Sequence, residues 1–162
     1  MSAKKVVVTG AYGLIANAFF RHLHRQAETY EVYGLARRRH PSERAPGSIE
    51  EIPEDRFYLA DLTDLNALKK AFEDADTVVQ LAADPRPDAS WESLLDSNIV
   101  GVRNVFEAAH QCGVRRVVLA SSIMVSWGYQ QDEPYKAISD GRFAELDSDE
   151  WPVVTHEWAP RP

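Results

Sequence analysis

Cysteine is almost missing from this chain. The single thiol, Cys112, cannot form an internal disulfide, so stability must come from a packed core, and a reducing compartment suits it best. Long apolar runs are missing as well. No stretch approaches the roughly 18 consecutive apolar residues of a membrane helix, and "MSAKKVVVTG" holds no apolar segment long enough for a secretory signal. Positive charge is in deficit. With 18 Lys and Arg against 25 Asp and Glu the net charge is −7, which argues against a nucleic-acid-binding surface. The histidines show no metal-ligand spacing, so no metal site is expected. Internal repeats and low-complexity tracts are also lacking. The expectation is a soluble, cytoplasmic chain of 162 residues, 44% hydrophobic, that can bury one real core.

What is present is an alternation. "KVVVTG" (5–10), "YEVYGLAR" (30–37), "RFYLAD" (56–61), "DTVVQLAA" (76–83) and "RRVVLASS" (115–122) read as buried strands. Between them, Ile15, Phe19 and Leu23, then Leu65, Leu68 and Phe72, then Leu95, Ile99, Val102, Phe106 and Ala109 recur at helical spacing. Gly113 stands where the last of these helices would end. Strands that are continuous apolar runs, separated by helices, predict a parallel sheet covered on both faces. The fold class is therefore α/β, a Rossmann-like doubly wound parallel sheet of about five strands in the order 3-2-1-4-5. The pattern stops after Ser122. Residues 1–125 read as one α/β domain, and 126–162 as an acidic, aromatic loop region with Trp127, Trp151 and Trp158. A structureless stretch of that length is unusual in a compact domain.

"TGAYGLIA" (9–16) places two glycines between the first strand and the first helix. A helix start offers unpaired N–H groups and a positive dipole end, and glycine lets the backbone approach an anion there. The spacing Gly10-x-x-Gly13-x-x-Ala16 is a variant of the dinucleotide fingerprint, with a small residue in third place for helix–strand packing. A tight turn with no ligand is the other reading.

Taken in order along residues 4 to about 128, five stretches resemble the extended short-chain dehydrogenase/reductase family, also called the NAD-dependent epimerase/dehydratase family. They are the glycine turn, "ADLTD", "LAA" (81–83), "NIVGVRNVFEAA" (98–109) and "RRVVLASS". The resemblance implies a cofactor site made by Gly10, Tyr12, Gly13, Leu14 and Ile15, with Asp61 and Leu62 at the adenine ring. It also implies Leu81, Ala82 and Ala83 along the ribose and phosphates, with Asn98 and Ser121 nearby. Asp61 is equally open to capping the next helix, Asn98 to tying backbone together, and Ser121 and Ser122 to being ordinary strand-end hydroxyls.

The second strand ends in Arg37, Arg38 and Arg39, with no acid at that point. A carboxylate there would bind a ribose 2′-hydroxyl, whereas a guanidinium accepts a 2′-phosphate. The cofactor expected is NADP or NAD, with NADP favoured through Arg37 and Arg38. An exposed loop that merely begins with arginines is the alternative.

In the family a tyrosine moves the proton, a lysine four residues later lowers its pKa, and a hydroxyl polarises the substrate oxygen. "SSIMVSWG" places Ser122 in the hydroxyl position, with Val125 and Gly128 in partial match. The tyrosines are 12, 30, 33, 58, 129 and 135, and the residues four later are Ala16, Gly34, Arg37, Leu62, Glu133 and Ser139. The pair is absent, and "THEWAPRP" resembles the segment that precedes it. The expectation is the N-terminal part of an NAD(P)-dependent oxidoreductase or epimerase acting on a hydroxyl or carbonyl carbon of a small molecule such as a sugar or nucleotide sugar. Alone it would lack turnover. A non-catalytic dinucleotide-binding sensor is the competing function, and a ligand-free structural α/β domain is the third. The last strand would be left as a sheet edge, so homodimer formation or looser self-association is expected.

Overall fold

A computed structural model describes residues 2–41, 49–122, 133 and 136–142. They fall into two compact units, Met1–Ala120 and Ser121–Pro162, each treated by itself. Most of 126–162 lies outside the described residues, with Val125, Gly128, the three tryptophans and "THEWAPRP" among them. In the second unit a short helix spans Lys136–Ser139, and Arg142 pairs with Glu133 at 2.6 Å and Asp140 at 3.3 Å.

The first unit alternates strands and helices: β1 (Lys4–Thr9), α1 (Leu14–His24), β2 (Tyr30–Ala36), β3 (Phe57–Leu59), α2 (Leu65–Phe72) and β4 (Thr77–Gln80). Then come α3 (Trp91–Leu94), a π-helical stretch (Leu95–Val100), α4 (Gly101–Gln111) and β5 (Arg116–Leu119). All strand pairs are parallel, and the order is β3-β2-β1-β4-β5, as the alternation predicts.

The central strand shows why both faces are covered. Successive side chains of a strand point to opposite faces. Val6 and Val8 enter one cluster with Ala16 and Phe20 of α1, Val32 and Val79. Val7 enters the other with Leu68, Ala71 and Phe72 of α2, Val105 and Ala108 of α4, and Val78. Valine at three consecutive positions is what such a strand requires, since neither face meets water. At the far end of α4, Gly113 takes φ +67° while its N–H bonds to His110 O at 3.1 Å, ending the helix as expected.

Two details depart from the periodicity. The buried positions of α1 are Ala16, Asn17 and Phe20, whereas Ile15 is 71% exposed. The helix start stands at a cleft, so its first apolar residues line an opening. On α4 the buried set is Gly101, Asn104, Val105, Ala108 and Ala109, so Ala109 of the expected stripe is buried, while Ile99 in the π-helical stretch and Phe106 are exposed. The π-helical stretch changes the residues per turn ahead of α4, so a stripe counted at 3.6 from Leu95 arrives out of phase. α3 itself was not expected. Ser90 caps it, its Oγ accepting from Ser93 N at 3.2 Å.

The strands also stop short of the apolar runs, at Thr9, Ala36, Leu59 and Gln80. Gly10, Arg37, Ala60, Asp61 and Leu81 to Ala83 leave the ladder and line the cleft instead. Phe72 is fully buried in the α2–α4 cluster. Phe72→Ala should cost about 3–5 kcal/mol by emptying that site, read as a lower urea midpoint at unchanged slope.

Candidate functional site

A cleft of about 680 Å³ opens beyond the C-terminal ends of β1, β2, β3 and β4. The strand order reverses between β1 and β4, and ligands of open α/β sheets bind outside the strand ends at such a point. The cleft is lined by Gly10, Tyr12, Gly13, Leu14, Ile15, Arg37, Arg38, Asp61, Leu62, Leu81, Ala82 and Ala83. The structure thus brings together twelve residues singled out in the sequence.

Gly10 is required twice over. Its φ is +67°, and a Cβ there would lie 2.9 Å from the Ala82 Cα. The turn closes by Gly13 N donating to Gly10 O at 2.7 Å. Gly13 then serves as the N-cap of α1 with no side-chain cap. By contrast, Asp64 caps α2, accepting from Ala67 N at 2.9 Å, and Ser90 caps α3. The start of α1, which lines the cleft, is therefore left without a capping oxygen, and its dipole favours an anion. The chemistry of this turn, unpaired N–H groups at a positive dipole end with no side-chain cap, suits an anion such as a pyrophosphate. Tyr12 is fixed behind it by an edge-on contact with Phe57, centroids 5.4 Å apart.

Beneath the turn, Thr9 and Gln80 form a buried pair. Thr9 Oγ1 donates to Gln80 Oε1 at 2.6 Å and accepts from both Leu81 N and Ala82 N at 3.1 Å. Gln80 Nε2 donates to Ala82 O at 2.8 Å. These bonds set the β4 loop against Gly10.

At the β2 and β3 side, the three arginines separate. Arg39 turns away to Glu54, at 3.1 Å, and lies over the Phe57 ring. Arg37 and Arg38 line the cleft. Asp61 Oδ1 accepts from Thr63 N at 2.9 Å and from Thr63 Oγ1 at 2.8 Å. The Thr63 backbone bond chiefly holds its carboxyl below the usual range, with Arg37 adding a smaller pull. Asp64, not Asp61, caps the next helix.

Asn98 does not line the cleft. Its Oδ1 accepts from Asp84 N at 2.7 Å and its Nδ2 donates to Asp84 O at 3.0 Å, which is the backbone-tying arrangement. Ser121 and Ser122 follow β5 and belong to the second unit. Among the described residues no group of three His, Cys, Asp or Glu could hold a metal, and no helix is long and apolar enough to cross a membrane.

Sequence reasoning missed the Asp84 cluster. Asp84 is buried, with Arg86 Nε and Nη2 on its two oxygens at 2.9 and 2.6 Å and Ser93 Oγ donating at 2.5 Å. Asp84, Arg86 and Ser97 all border the cleft. An arginine between two prolines, "DPRPD", was the available signal, since it marks a stiff loop bearing a charge. Arg86 and then Ser93 hold the Asp84 carboxyl far below its ordinary value.

Comparison with known proteins adds the following. The family model described as "NAD dependent epimerase/dehydratase family" matches residues 6–141. The NAD-dependent glucose-6-phosphate dehydrogenase of Haloferax volcanii is 36% identical over 117 residues, 72% of this chain and 42% of that protein. The uronate dehydrogenase of Pseudomonas putida is 30% identical over 129 residues, 80% of this chain and 44% of that protein. Among solved structures, Thermus thermophilus UDP-glucose 4-epimerase in complex with NAD superposes with a TM-score of 0.63 at 26% identity, covering 98% of this chain and 44% of that one. A mutant uronate dehydrogenase of Agrobacterium tumefaciens complexed with NAD gives 0.59 at 29%, covering 76% and 42%. The chain spans less than half the length of these relatives.

Since the folded pKa of Asp84 is depressed, its stabilising contribution is complete above about pH 5 and is lost as pH falls through the folded value. Asp84→Asn should therefore lower stability at pH 7 by about 1–3 kcal/mol, as charged hydrogen bonds of Arg86 and Ser93 are lost. The gap to the parent should narrow toward pH 2. Urea unfolding at both pH values checks this.

Proposed function

The chain belongs to the NAD dependent epimerase/dehydratase family, and from that premise we propose that it binds a nicotinamide dinucleotide in the cleft. It would be the cofactor-holding part of an oxidoreductase or epimerase that works at a hydroxyl-bearing carbon of a sugar or nucleotide sugar. The observation that carries this is the uncapped start of α1, reached through a positive-φ glycine, at the rim of a cleft at the sheet's switch point.

In this reading Gly10, Gly13, Leu14 and Ile15 hold the pyrophosphate. Asp61 and Leu62 meet the adenine, Leu81 to Ala83 follow the ribose and phosphates, and Asn98 keeps that loop in place through Asp84. When bound, the cofactor supplies hydride exchange with the substrate carbon. Ser122 is the hydroxyl that polarises the substrate oxygen, with Ser121 as its neighbour. Sugars as substrates are supported by the names of the relatives, which include glucose-6-phosphate and uronate dehydrogenases and a UDP-glucose epimerase.

NADP is preferred over NAD in this proposal. The named structural relatives hold NAD, but β2 here is followed by Arg37 and Arg38 at the cleft, where an acid would repel a 2′-phosphate and a guanidinium binds it. No tyrosine in these 162 residues has lysine four positions on, so the chain alone binds cofactor without turning substrate over. This absence also favours the second reading, a binding module that senses nicotinamide nucleotides. Self-association belongs to the same proposal. β5 is bonded on one side only within the described sheet, and its Val118 and Leu119 are exposed.

The test is a fluorescence titration of the purified chain with NADPH and NADH. NADPH should bind about 10-fold more tightly, as expected for one charge-assisted contact. The double change Arg37→Ala, Arg38→Ala should erase that ratio. Gly10→Ala should abolish binding of both. A chain that melts cooperatively yet binds neither nucleotide would leave only the structural-domain reading.

A further inference from the structure

The loop that carries Asp61 is held from outside the cleft. Asn104 lies on α4, buried at 7% exposure, and is not one of the lining residues. Its Nδ2 donates to Leu62 O at 3.0 Å and to Thr63 O at 3.2 Å. One turn earlier, Gly101 brings the helix so close that a Cβ there would lie 2.8 Å from the Leu62 Cβ. Helix and loop are thus in backbone-to-backbone proximity, and Asn104 fixes the loop's carbonyls.

The next link is Thr63. It donates both its N–H and its hydroxyl to Asp61, and both bonds fall on Oδ1. Neither uses Oδ2. Asp61 borders the cleft, and as an ionised carboxylate it can only accept hydrogen bonds. The chain of contacts therefore runs from a buried helix side chain, through the 62–63 backbone, to the orientation of one carboxylate oxygen at the cleft.

We propose that Asn104 is a positioning residue for recognition of the adenine base. It locks the 62–63 carbonyls, which hold the Thr63 donors in place, which in turn aim Asp61 at the exocyclic amino group of the base. The inference rests on the reading of the cleft as a dinucleotide site. It assigns a ligand-selecting role to a residue that touches no ligand.

Because Asp61 only accepts, it favours a base with an amino group and disfavours one that presents an oxygen in its place. The ratio of affinities for NADPH and for its analogue with hypoxanthine instead of adenine reads that orientation. A merely structural asparagine would not move the ratio. The experiment is fluorescence titration of the full chain and of Asn104→Ala with both nucleotides, beside thermal melts.

The parent should prefer adenine by about 10-fold, in line with one charged hydrogen bond. In Asn104→Ala the preference should fall to about 2-fold or less, with the loss confined to NADPH. Asp61→Asn should reproduce that collapse. Should Asn104→Ala not fold, Thr63→Val on the exposed loop removes one of the two Oδ1 donors and should show a partial collapse.

Equal weakening for both nucleotides, or a lower melting point with the ratio kept, makes Asn104 a packing residue and overturns the proposal. A parent that binds both nucleotides equally overturns it too, while leaving the cleft as a dinucleotide site. Absence of binding to either nucleotide by the folded parent sinks the underlying reading itself.

Discussion

The site depends on one buried pair, Thr9 with Gln80. Both side chains are essentially inaccessible, 0% and 1% exposed, and buried polar groups are costly unless satisfied. Here they satisfy each other and three backbone groups of the β4 loop. The consequence is positional. β1 and β4 pair directly only over Val6 to Val8, so beyond Val8 nothing in the ladder would keep their loops together. The hydroxyl and amide extend the pairing by side chains just where the backbones diverge. That keeps Ala82 against Gly10 and forces residue 10 to be glycine. The glycine turn is thus imposed from below by packing.

The same device recurs with asparagine. Asn17 of α1 exchanges two bonds with the Glu50 backbone, at 2.9 and 3.0 Å. Asn98 does so with Asp84, and Asn104 donates to two carbonyls of the Asp61 loop. Loop backbone next to a cleft has no ladder partner, and unpaired N–H and C=O groups there would be costly if buried. An amide side chain carries both a donor and an acceptor, so a helix can complete a loop's hydrogen bonding from its own side. Little of the cleft wall is regular structure, and the loops after β3 and β4 that border it are held by these side-chain bonds.

This explains what the sequence disclosed and what it hid. Val6, Val7 and Val8, read as a strand buried on both faces, are that strand, and the five strands stand parallel in the expected order. The strand ends were read too long, because Ala60 and Leu81 to Ala83 continue the apolar runs while serving, with Asp61, as the cleft wall. The cleft residues with backbone roles were legible, since glycine spacing carries a local signal. Asn17, Asn104 and Asp84 were not, because their partners lie 33, 42 and 2 to 9 positions away and an isolated Asn or Asp gives no periodic trace. Asn98 was found only through resemblance, and its geometry supplies the physical account.

The helical stretch from Trp91 to Gln111 shows how one element serves two walls. Asn98 and Asn104 are six residues apart, which in a regular α-helix places them about 240° apart around the axis. They reach loops on different strands, after β4 and after β3. A uniform helix would also direct the apolar stripe 95, 99, 102, 106, 109 inward, and the structure buries 109 together with 101, 104, 105 and 108. The π-helical turn absorbs the difference. It re-phases the helix between the two asparagines, so that α4 seats its small residues Gly101 and Ala108 on the core while Asn98 remains free to hold Asp84. π-helical turns are rare and are frequently found at functional sites. Here the stretch that carries Asn98 and leads into Asn104 holds loop backbone on both sides of the switch point.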